Sequence, residues 1–325
     1  MRENAKPCAR GTLLLMCAVG FISVTARAND GGALDLPPSV VRPEAPVEIV
    51  GGAAKTTRSI ERRDIERLAP RTAPDLLRSE PGVAVQTTTS GQGTPIIRGL
   101  MGSAILVLVD GMRLNNAFFR PAPNQFYALV DAYNIDRIEV QRGAGSTLYG
   151  SDALGGVVSI ATPTPRFTQK KWAQRSRIYE QWASADRSWN SRTSLEFGRE
   201  GFGAALGFTA QLHDDLRGGR ETGVMKPSAF SAFAGDAKFL VESLRHELTL
   251  SAQYLQQPST PRYDALVAGF GQTTPESIVN LFEPNDRLFV HGAYRLKRPA
   301  GFLDEVAIDV SYQGVNDNRR VQKDA

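Results

Sequence analysis

The second half of the chain is constrained most strongly by strict alternation between apolar and polar residues. In the run 202–213 every even position is apolar and every odd position is small or polar. The same alternation recurs at 246–256 and 305–316. Because successive strand residues point to opposite faces, each run predicts a strand with one apolar and one polar face. Tandem strands of this kind are typical of a membrane barrel around a wet lumen, but a soluble β-sandwich alternates too.

The lengths of the connections favour the barrel. The predicted strands lie near 176–184, 188–198, 202–213, 233–241, 246–256, 287–297 and 305–316. Three connections are short (198–201, 242–245 and 298–304) and two are long (214–232 and 257–286). If the first strand runs outward, these short connections face the periplasm and the long ones face the exterior. Outer-membrane barrels have this asymmetry, and a sandwich has no reason to show it.

The first 28 residues have the features of an export signal. Basic residues precede an apolar run from Leu13 to Val24, and the small-residue pattern Ala26-Arg27-Ala28 follows. Cleavage after Ala28 would remove both cysteines and lower the formal charge from +4 to about +1. We therefore expect an exported chain without disulfides or a zinc cluster, and without the basic excess that nucleic-acid binding requires.

The remainder divides into three predicted parts. Residues 29–46 are rich in Gly and Pro and predict a flexible leader. Residues 47–165 predict a small α+β domain, in which Pro74 begins a helix and the apolar run 104–109 forms a strand buried on both faces. Residues 166–325 contain the alternating strands. The predicted fold class is thus an α+β domain followed by an antiparallel transmembrane β-barrel.

Five short motifs occur in order within 47–165. They are Asp75-Leu76-Leu77 with Pro81-Gly82-Val83, Ile97-Arg98-Gly99, Val107 to Gly111, Ile138 to Gly143, and Leu148 to Val158. Together they closely resemble the plug domain of TonB-dependent outer-membrane receptors, although Ala144 stands where the family usually has proline. The resemblance implies a plug inside a barrel of about 22 strands. Since about seven strands are visible, we expect the chain to be a truncated N-terminal part.

The same resemblance implies TonB, with its inner-membrane energising complex, as a partner. The candidate TonB box is Val47, Glu48, Ile49 and Val50. A short extended segment on a flexible leader can add as a strand to a partner's sheet edge and transmit pull through backbone hydrogen bonds. Gly51-Gly52 follows where the family usually has threonine. Two alternatives stay open, namely that 47–50 is the first strand of the plug, or that the box lies near Leu34-Asp35-Leu36.

Three charged plug residues, Arg98, Glu139 and Arg142, are candidates for ionic contacts with the wall. Charges inside a lumen need partners, and the resemblance implies that these residues meet acidic residues of the barrel. The alternative is a local surface pair between Glu139 and Arg142.

The candidate substrate contacts lie in one aromatic- and amide-rich segment: Asn115, Asn116, Phe118, Phe119, Arg120, Gln125, Phe126 and Tyr127. Exposed aromatics with one arginine suit an aromatic, anionic ligand such as a ferric chelate. The alternative is that Phe118 and Phe126 pack against the wall. The segment 86–92, rich in Thr, Ser and Gly, is a second candidate.

Catalysis finds no support in the sequence. The mature chain has only His213, His246 and His291, and it lacks the motifs of a hydrolase or metalloenzyme, so we expect no enzyme activity, cofactor or metal site. We expect a monomer in the Gram-negative outer membrane that imports an iron chelate, either a siderophore or haem. A haem ligand on the plug would be Tyr127, Tyr133 or Tyr149. A signalling receptor of the same fold and a non-functional remnant remain the alternatives.

Overall fold

A computed structural model of the chain describes residues 19–26, 57–115, 126–220, 222–269, 271–300 and 303–323. The predicted leader at 29–46, the candidate TonB box at 47–50 and most of the predicted export signal lie outside these residues.

The N-terminal domain, residues 57–162, is built from short elements. Strand β1 (Val19–Ala26) precedes this domain in the chain. The strands of the domain are β2 (Thr57–Glu61), β3 (Val83–Gln86), β4 (Thr94–Ile97), β5 (Ile105–Val109), β6 (Met112–Arg113), β7 (Arg137–Arg142) and β8 (Gly156–Ala161). The helices are α1 (Arg62–Leu68) and α2 (Ser146–Tyr149), with 3-10 turns at Ala73–Leu77, Gly102–Ala104, Phe126–Leu129 and Ala132–Asn134.

A mixed five-stranded sheet in the order β2-β7-β8-β5-β6 organises this domain. Strands β5 and β8 are parallel, and the other pairs are antiparallel. All five residues of β5 are buried, which confirms the strand predicted from the apolar run 104–109. The predicted helix at Pro74 is a 3-10 turn, begun by a capping box in which Thr72 and Asp75 satisfy each other's backbone groups. Its buried Leu76 and Leu77 join Ile97, Ile138 and other sheet residues in the core.

Seven long antiparallel strands form the wall sheet. They are β9 (Ala173–Ala183), β10 (Ser188–Arg199), β11 (Phe202–His213), β14 (Phe230–Glu242), β15 (His246–Gln257), β17 (Ser277–Ala300) and β18 (Leu303–Lys323). The short strands β12 (Leu216–Arg217), β13 (Val224–Met225) and β16 (Thr260–Pro261) and the helix α3 (Tyr263–Leu266) occupy the long connections. Each long strand pairs with the next in chain order, so the sheet is a simple meander.

The two faces of the wall sheet differ as the alternation predicted. On β11 the apolar side chains Leu206 and Phe208 are 54% and 56% exposed, whereas the polar Thr209 and Gln211 are 0% and 4% exposed. The polar face is therefore covered, and the apolar face points outward. A sheet with this outward apolar face is more stable in lipid than in water.

Aromatic side chains mark both ends of the outward face. Trp182 and Trp189 are register partners on β9 and β10, and both are exposed. At the other end Trp172 stacks on Phe197 with ring centroids 4.5 Å apart. Trp189 and Phe197 are separated by roughly 27 Å along β10, at about 3.4 Å per residue. That spacing matches the scale of the apolar band of outer-membrane barrels, which is about 25 Å tall and flanked by aromatic girdles.

The wall sheet has a short-turn end and a long-loop end. The turns at 200–201 and 243–245 lie at the first, and the connections 214–229 and 258–276 lie at the second. The connection between β9 and β10, 184–187, is also short but lies at the long-loop end, because Trp189 pairs with Leu212 beside the end of β11. The two ends therefore differ in loop length from β10 onward, but the first connection, 184–187, does not follow this difference.

Strands β17 and β18 extend well beyond the predicted 287–297 and 305–316. Residues 277–282 of β17 pair with 319–323 of β18, and the register shifts between Phe282 and Asn285. Pro284 lacks a backbone N–H and lies at this irregularity, which is why the segment resembles a loop in sequence. Strands β17 and β18 pair on both sides of this irregularity.

Residues 19–26, within the predicted export signal, form β1 along the edge of β18, with Ile22 opposite Ile308. An edge strand presents unpaired backbone groups, and an extended segment can satisfy them. Cleavage after Ala28 stays a prediction, and it would leave this edge of β18 to another strand.

Within the described residues, no helix has both the length and the apolar character to cross a membrane.

Matched arginine substitutions on the two faces of β11 test the assignment of those faces. Ala210 faces outward on β11, whereas Ala205 faces inward and lines a cavity. We expect Ala210→Arg to lower the free energy of unfolding in phospholipid vesicles by about 2 kcal/mol, because it places a charge in lipid. Ala205→Arg should have little effect. Equal losses for the two variants in denaturant titrations would contradict the assignment.

Candidate functional site

The candidate site is the interface between the N-terminal domain and the polar face of the wall sheet. Inward positions on the wall strands carry polar or charged side chains that are buried under the domain, among them Arg192, Thr209, Lys238 and Arg287. Buried charges and hydroxyls require partners, and the N-terminal domain supplies many of them.

One group of five residues, the interface ion cluster, lies at the centre of this contact. It consists of Asp131 and Asn134 from the domain and Arg192, Thr209 and Asp236 from the wall. Arg192 Nη1 lies 3.1 Å from Asp131 Oδ2 and 2.8 Å from Asp236 Oδ2. Arg192 Nη2 donates to Asn134 Oδ1 at 2.9 Å. One wall cation is therefore held between a carboxylate of the domain and a carboxylate of the wall.

The local fold positions Asp131 for this contact. Its Oδ1 accepts the backbone N–H of Tyr133, which caps the 3-10 turn Ala132–Asn134. Its Oδ2 accepts the hydroxyl of Thr209 at 2.7 Å and faces Arg192. Burial raises the pKa of Asp131, and the Arg192 guanidinium opposes that rise. Arg192 therefore favours the charged form of this carboxylate.

A second ionic contact lies at the turn between β5 and β6. Asp110 accepts the backbone N–H and the hydroxyl of Thr162 at 2.8 and 2.7 Å. Lys238 of β14 approaches the same carboxylate at 3.2 Å and also donates to the carbonyl of Thr162. Both charged side chains are 8% exposed, so water does not replace this pairing in the described state.

Toward the long-loop end the domain supplies the cation and the wall supplies the carboxylate. Arg71 of the domain lies 3.3 Å from Asp186, which also contacts His213. Burial lowers the pKa of Arg71, and Asp186 opposes the shift. The carbonyl of Arg71 accepts from Gln211, and that of Gly91 accepts from Gln257 at 2.7 Å. The segment near residue 90 thus docks directly on the wall.

Apolar contact between the two parts is more restricted. Leu129 packs with Ala234, Leu255 and Val315 of the wall. Phe289 of β17 joins the core of the domain, and the Tyr133 and Tyr179 rings lie 5.3 Å apart. The described interface therefore combines a limited apolar contact with several buried polar ones.

Among the described residues, some cavities lie between the domain and the wall or its long connections, and two of them bear on the site. The lower cavity, about 570 Å³, is lined by charged groups that include Arg62, Asp136, Asp236 and Lys238. The upper cavity, about 560 Å³, lies near the long-loop end between 87–90, Arg71 and the β12–β13 hairpin. It includes most of the segment 86–92 that the sequence identified as a second substrate candidate.

The three predicted ionic residues have contacts within the domain. Glu139 lies 3.0 Å from Arg137, and Arg142 donates to the carbonyl of Pro81 at 2.7 Å. A side chain added at Gly143 would come within 2.8 Å of Arg98 Nη1, so Arg98 packs against that glycine. The ionic contacts to the described wall are made by other residues, and wall contacts of these three stay a prediction.

The predicted substrate segment is only partly described. Asn116, Phe118, Phe119, Arg120 and Gln125 lie outside the described residues. Asn115 is buried and bridges the backbone of Val107 and Ile105, so in this state it holds the domain together. Tyr127 is 1% exposed in the core, while Phe126 is half-buried and packs near Leu129 at the wall. The last observation matches the packing alternative for Phe126.

Sequence reasoning missed Asp131, Asp110 and their wall partners. Asp131 and Arg192 are 61 residues apart, and Asp110 and Lys238 are 128 apart. No local pattern connects such pairs. The available signal was a charged residue at an inward position of an alternating strand, which implies a partner inside the lumen.

Among the described residues, no group of three or more His, Cys, Asp or Glu side chains is placed to hold a metal ion.

Removing the central cation tests the interface ion cluster. Arg192→Met leaves Asp131 and Asp236 buried without their shared partner, and we expect it to cost about 3–5 kcal/mol in unfolding free energy. The matched control is Arg177→Met on the neighbouring strand, whose pair with Glu66 is half-exposed. That variant should lose less than about 1 kcal/mol. Similar small losses for both in denaturant unfolding would show that the cluster does not anchor the domain.

Comparison with known proteins identifies the N-terminal domain. Residues 51–157 match the family model described as the TonB-dependent receptor plug domain. The iron-regulated outer membrane virulence protein of Vibrio cholerae is 38% identical over 158 residues, which cover 47% of this chain and 23% of that protein. The vitamin B12 transporter BtuB of Vibrio vulnificus is 41% identical over 113 residues, or 34% of this chain and 18% of BtuB. The match thus spans less than a quarter of either relative.

Solved structures extend the likeness of the fold into the wall. The copper transporter OprC aligns with a TM-score of 0.65 at 17% identity, covering 80% of this chain and 37% of OprC. The FrpB iron transporter from Neisseria meningitidis also gives 0.65 at 18% identity, covering 82% of this chain and 41% of FrpB. The plug match shows that the N-terminal domain belongs to the TonB-dependent receptor family. The structural likeness shows that the wall shares the fold of these solved structures.

Proposed function

We propose that the complete protein imports a scarce nutrient, an iron chelate, across the outer membrane with energy supplied through TonB. The observation that carries the proposal is the docking of a folded plug on the polar face of the wall through buried ion pairs. The core of the plug is largely its own, since it is formed mainly by residues between Ile60 and Ile160. Such a plug can shift against the wall without losing its core.

The polar character of the interface sets the cost of that shift. A broken hydrogen bond at a polar interface can be replaced by water, whereas exposed apolar core is not compensated. The lower cavity offers polar space beside the interface ion cluster, so water can reach groups that separate. Movement of the plug at this point is therefore less costly than its unfolding.

The leader connects the plug to the energy source. The proposed TonB box, Val47 to Val50, precedes β2, which is an edge strand of the plug sheet and pairs only with β7 among the described strands. Pull on the leader acts first on this five-residue strand. The force reaches the charged contacts farther along the plug only after β2 has separated from β7.

The proposed ligand is an anionic ferric chelate that binds the candidate segment 115–127 and the upper cavity, which lies near the long-loop end. The cavity's Thr87 to Ser90 supply hydroxyls, and Phe118, Phe119 and Arg120 supply rings and a cation. An iron-regulated relative supports iron as the cargo. Haem is less well supported, because burial raises the pKa of all three candidate tyrosines, Tyr127, Tyr133 and Tyr149, and opposes the phenolate form that ligates iron.

Deleting Val47 to Val50 in the complete protein tests energy coupling. We expect ferric-chelate uptake to fall to background while chelate binding to whole cells is unchanged, because the box transmits pull and does not touch ligand. The measurement is growth and radio-iron uptake with the chelate as the only iron source.

Two further deletions serve as controls. Removing Arg42 to Ala45 shortens the leader by the same length and should spare uptake, whereas removing Leu34 to Leu36 tests the alternative box. Normal uptake after loss of 47–50 would refute the box assignment. Uptake of cobalamin alone, without chelate uptake by the intact protein, would refute the proposed cargo.

A further inference from the structure

The segment that joins the plug to the wall passes beneath the short-turn end of the sheet. A side chain added at Gly203 would meet the carbonyl of Pro165, and one added at Gly198 would meet the ring of Phe167, so both residues lie on the inward face. The backbone N–H of Glu200 then donates to the carbonyl of Gln169 at 2.7 Å. Trp172 reaches the outward face and stacks on Phe197. The chain therefore runs from the lumen to the outer surface around this rim.

Three cations collect where the segment emerges. Lys170 and Lys171 are exposed just before Trp172, and Arg199 is exposed at the end of β10 with its guanidinium 5.2 Å from the Trp172 ring centroid. None of the three has an ion-pair partner within the described part of the chain. The carboxylate in the adjoining turn, Glu200, is itself exposed. We call Lys170, Lys171, Trp172 and Arg199 the rim patch.

The patch contrasts with the charges inside the same rim. There Arg166 and Lys297 are neutralised by Glu242 and Glu247, at distances of 2.6 to 3.3 Å. The carboxylates satisfy the inner cations, whereas the outer cations face solvent or lipid. Two more exposed cations, Arg245 and Arg298, lie at the following turns of the same end.

The neighbours of the patch indicate what it binds. Phe197 and Phe202 present apolar rings beside Trp172 on the outward face, which faces lipid in a barrel. An aromatic girdle places its rings at headgroup level, and arginine and lysine there meet phosphate. A ligand with an acyl chain and an anionic headgroup can contact the apolar rings and the cations at the same time.

We propose that the rim patch is a binding site for an anionic phospholipid headgroup of the periplasmic leaflet. Phosphate accepts from Arg199 and the two lysines, while the acyl chain lies along Phe197 and Phe202. Because the Trp172 ring stacks on Phe197 and contacts the Arg199 guanidinium, the site is partly preorganised. The proposed site depends on the barrel fold and on an orientation in which the short turns face the periplasm. It does not depend on the transported cargo.

Native mass spectrometry of the complete protein in neutral detergent tests the site. Phosphatidylglycerol adducts should exceed phosphatidylcholine adducts, and Lys170→Ala/Lys171→Ala/Arg199→Ala should remove that excess. The expected loss is about fivefold for each cation, equivalent to about 1 kcal/mol per basic side chain at an anionic membrane surface. Arg199→Lys should retain part of the binding, because it keeps the charge and loses the planar stacking group.

The matched control removes three exposed cations from the long-loop end, as Arg217→Ala/Arg220→Ala/Lys226→Ala. It should keep the phosphatidylglycerol excess. Equal losses in both triple variants would show a general charge effect and overturn the site. Full retention by the rim variant would also overturn it. Preferential capture of lipopolysaccharide, or of glycerol phosphate without acyl chains, would overturn the assignment to a phospholipid.

Discussion

The arrangement of this chain depends on one buried cation held between two carboxylates. Arg192 belongs to the wall, and its partners Asp131 and Asp236 belong to the plug and the wall. A lone charge under a folded domain is costly, so β10 requires the plug and the plug requires β10. This mutual dependence fixes where the plug sits more firmly than apolar contact does, because the apolar patch around Leu129 has no directional preference.

The same polarity is what the proposed transport requires of a plug that is firmly seated and still able to move. Its core is closed on itself, and its docking contacts are hydrogen bonds and ion pairs beside a cavity lined by charged groups. The outward face of the wall has the opposite chemistry, with exposed Leu206 and Phe208 and aromatic ends. One strand therefore presents apolar side chains outward and polar side chains to the plug, which follows from its period of two.

Local patterns predicted much of the fold. Alternation identified β11 and β15 almost to the residue, and the apolar run 104–109 identified the buried β5. Pairing between distant residues had no local signal, so the contact of Asp131 with Arg192 was missed. Pro284 concealed the extension of β17, because sequence shows the lost N–H but not the neighbouring strand that continues the pairing. Tyr127 resembled an exposed aromatic, since nothing local shows that a core will cover it.

A double-mutant cycle between Asp131 and Arg192 tests the central claim most directly. Unfolding free energies of the complete protein in detergent are compared for Asp131→Asn, Arg192→Met and the two together. If the plug is anchored by this pair, the coupling free energy should be at least about 1.5 kcal/mol, and it should change little with added salt because the pair is buried. Coupling near zero would contradict the account, since the plug would then be seated by other contacts.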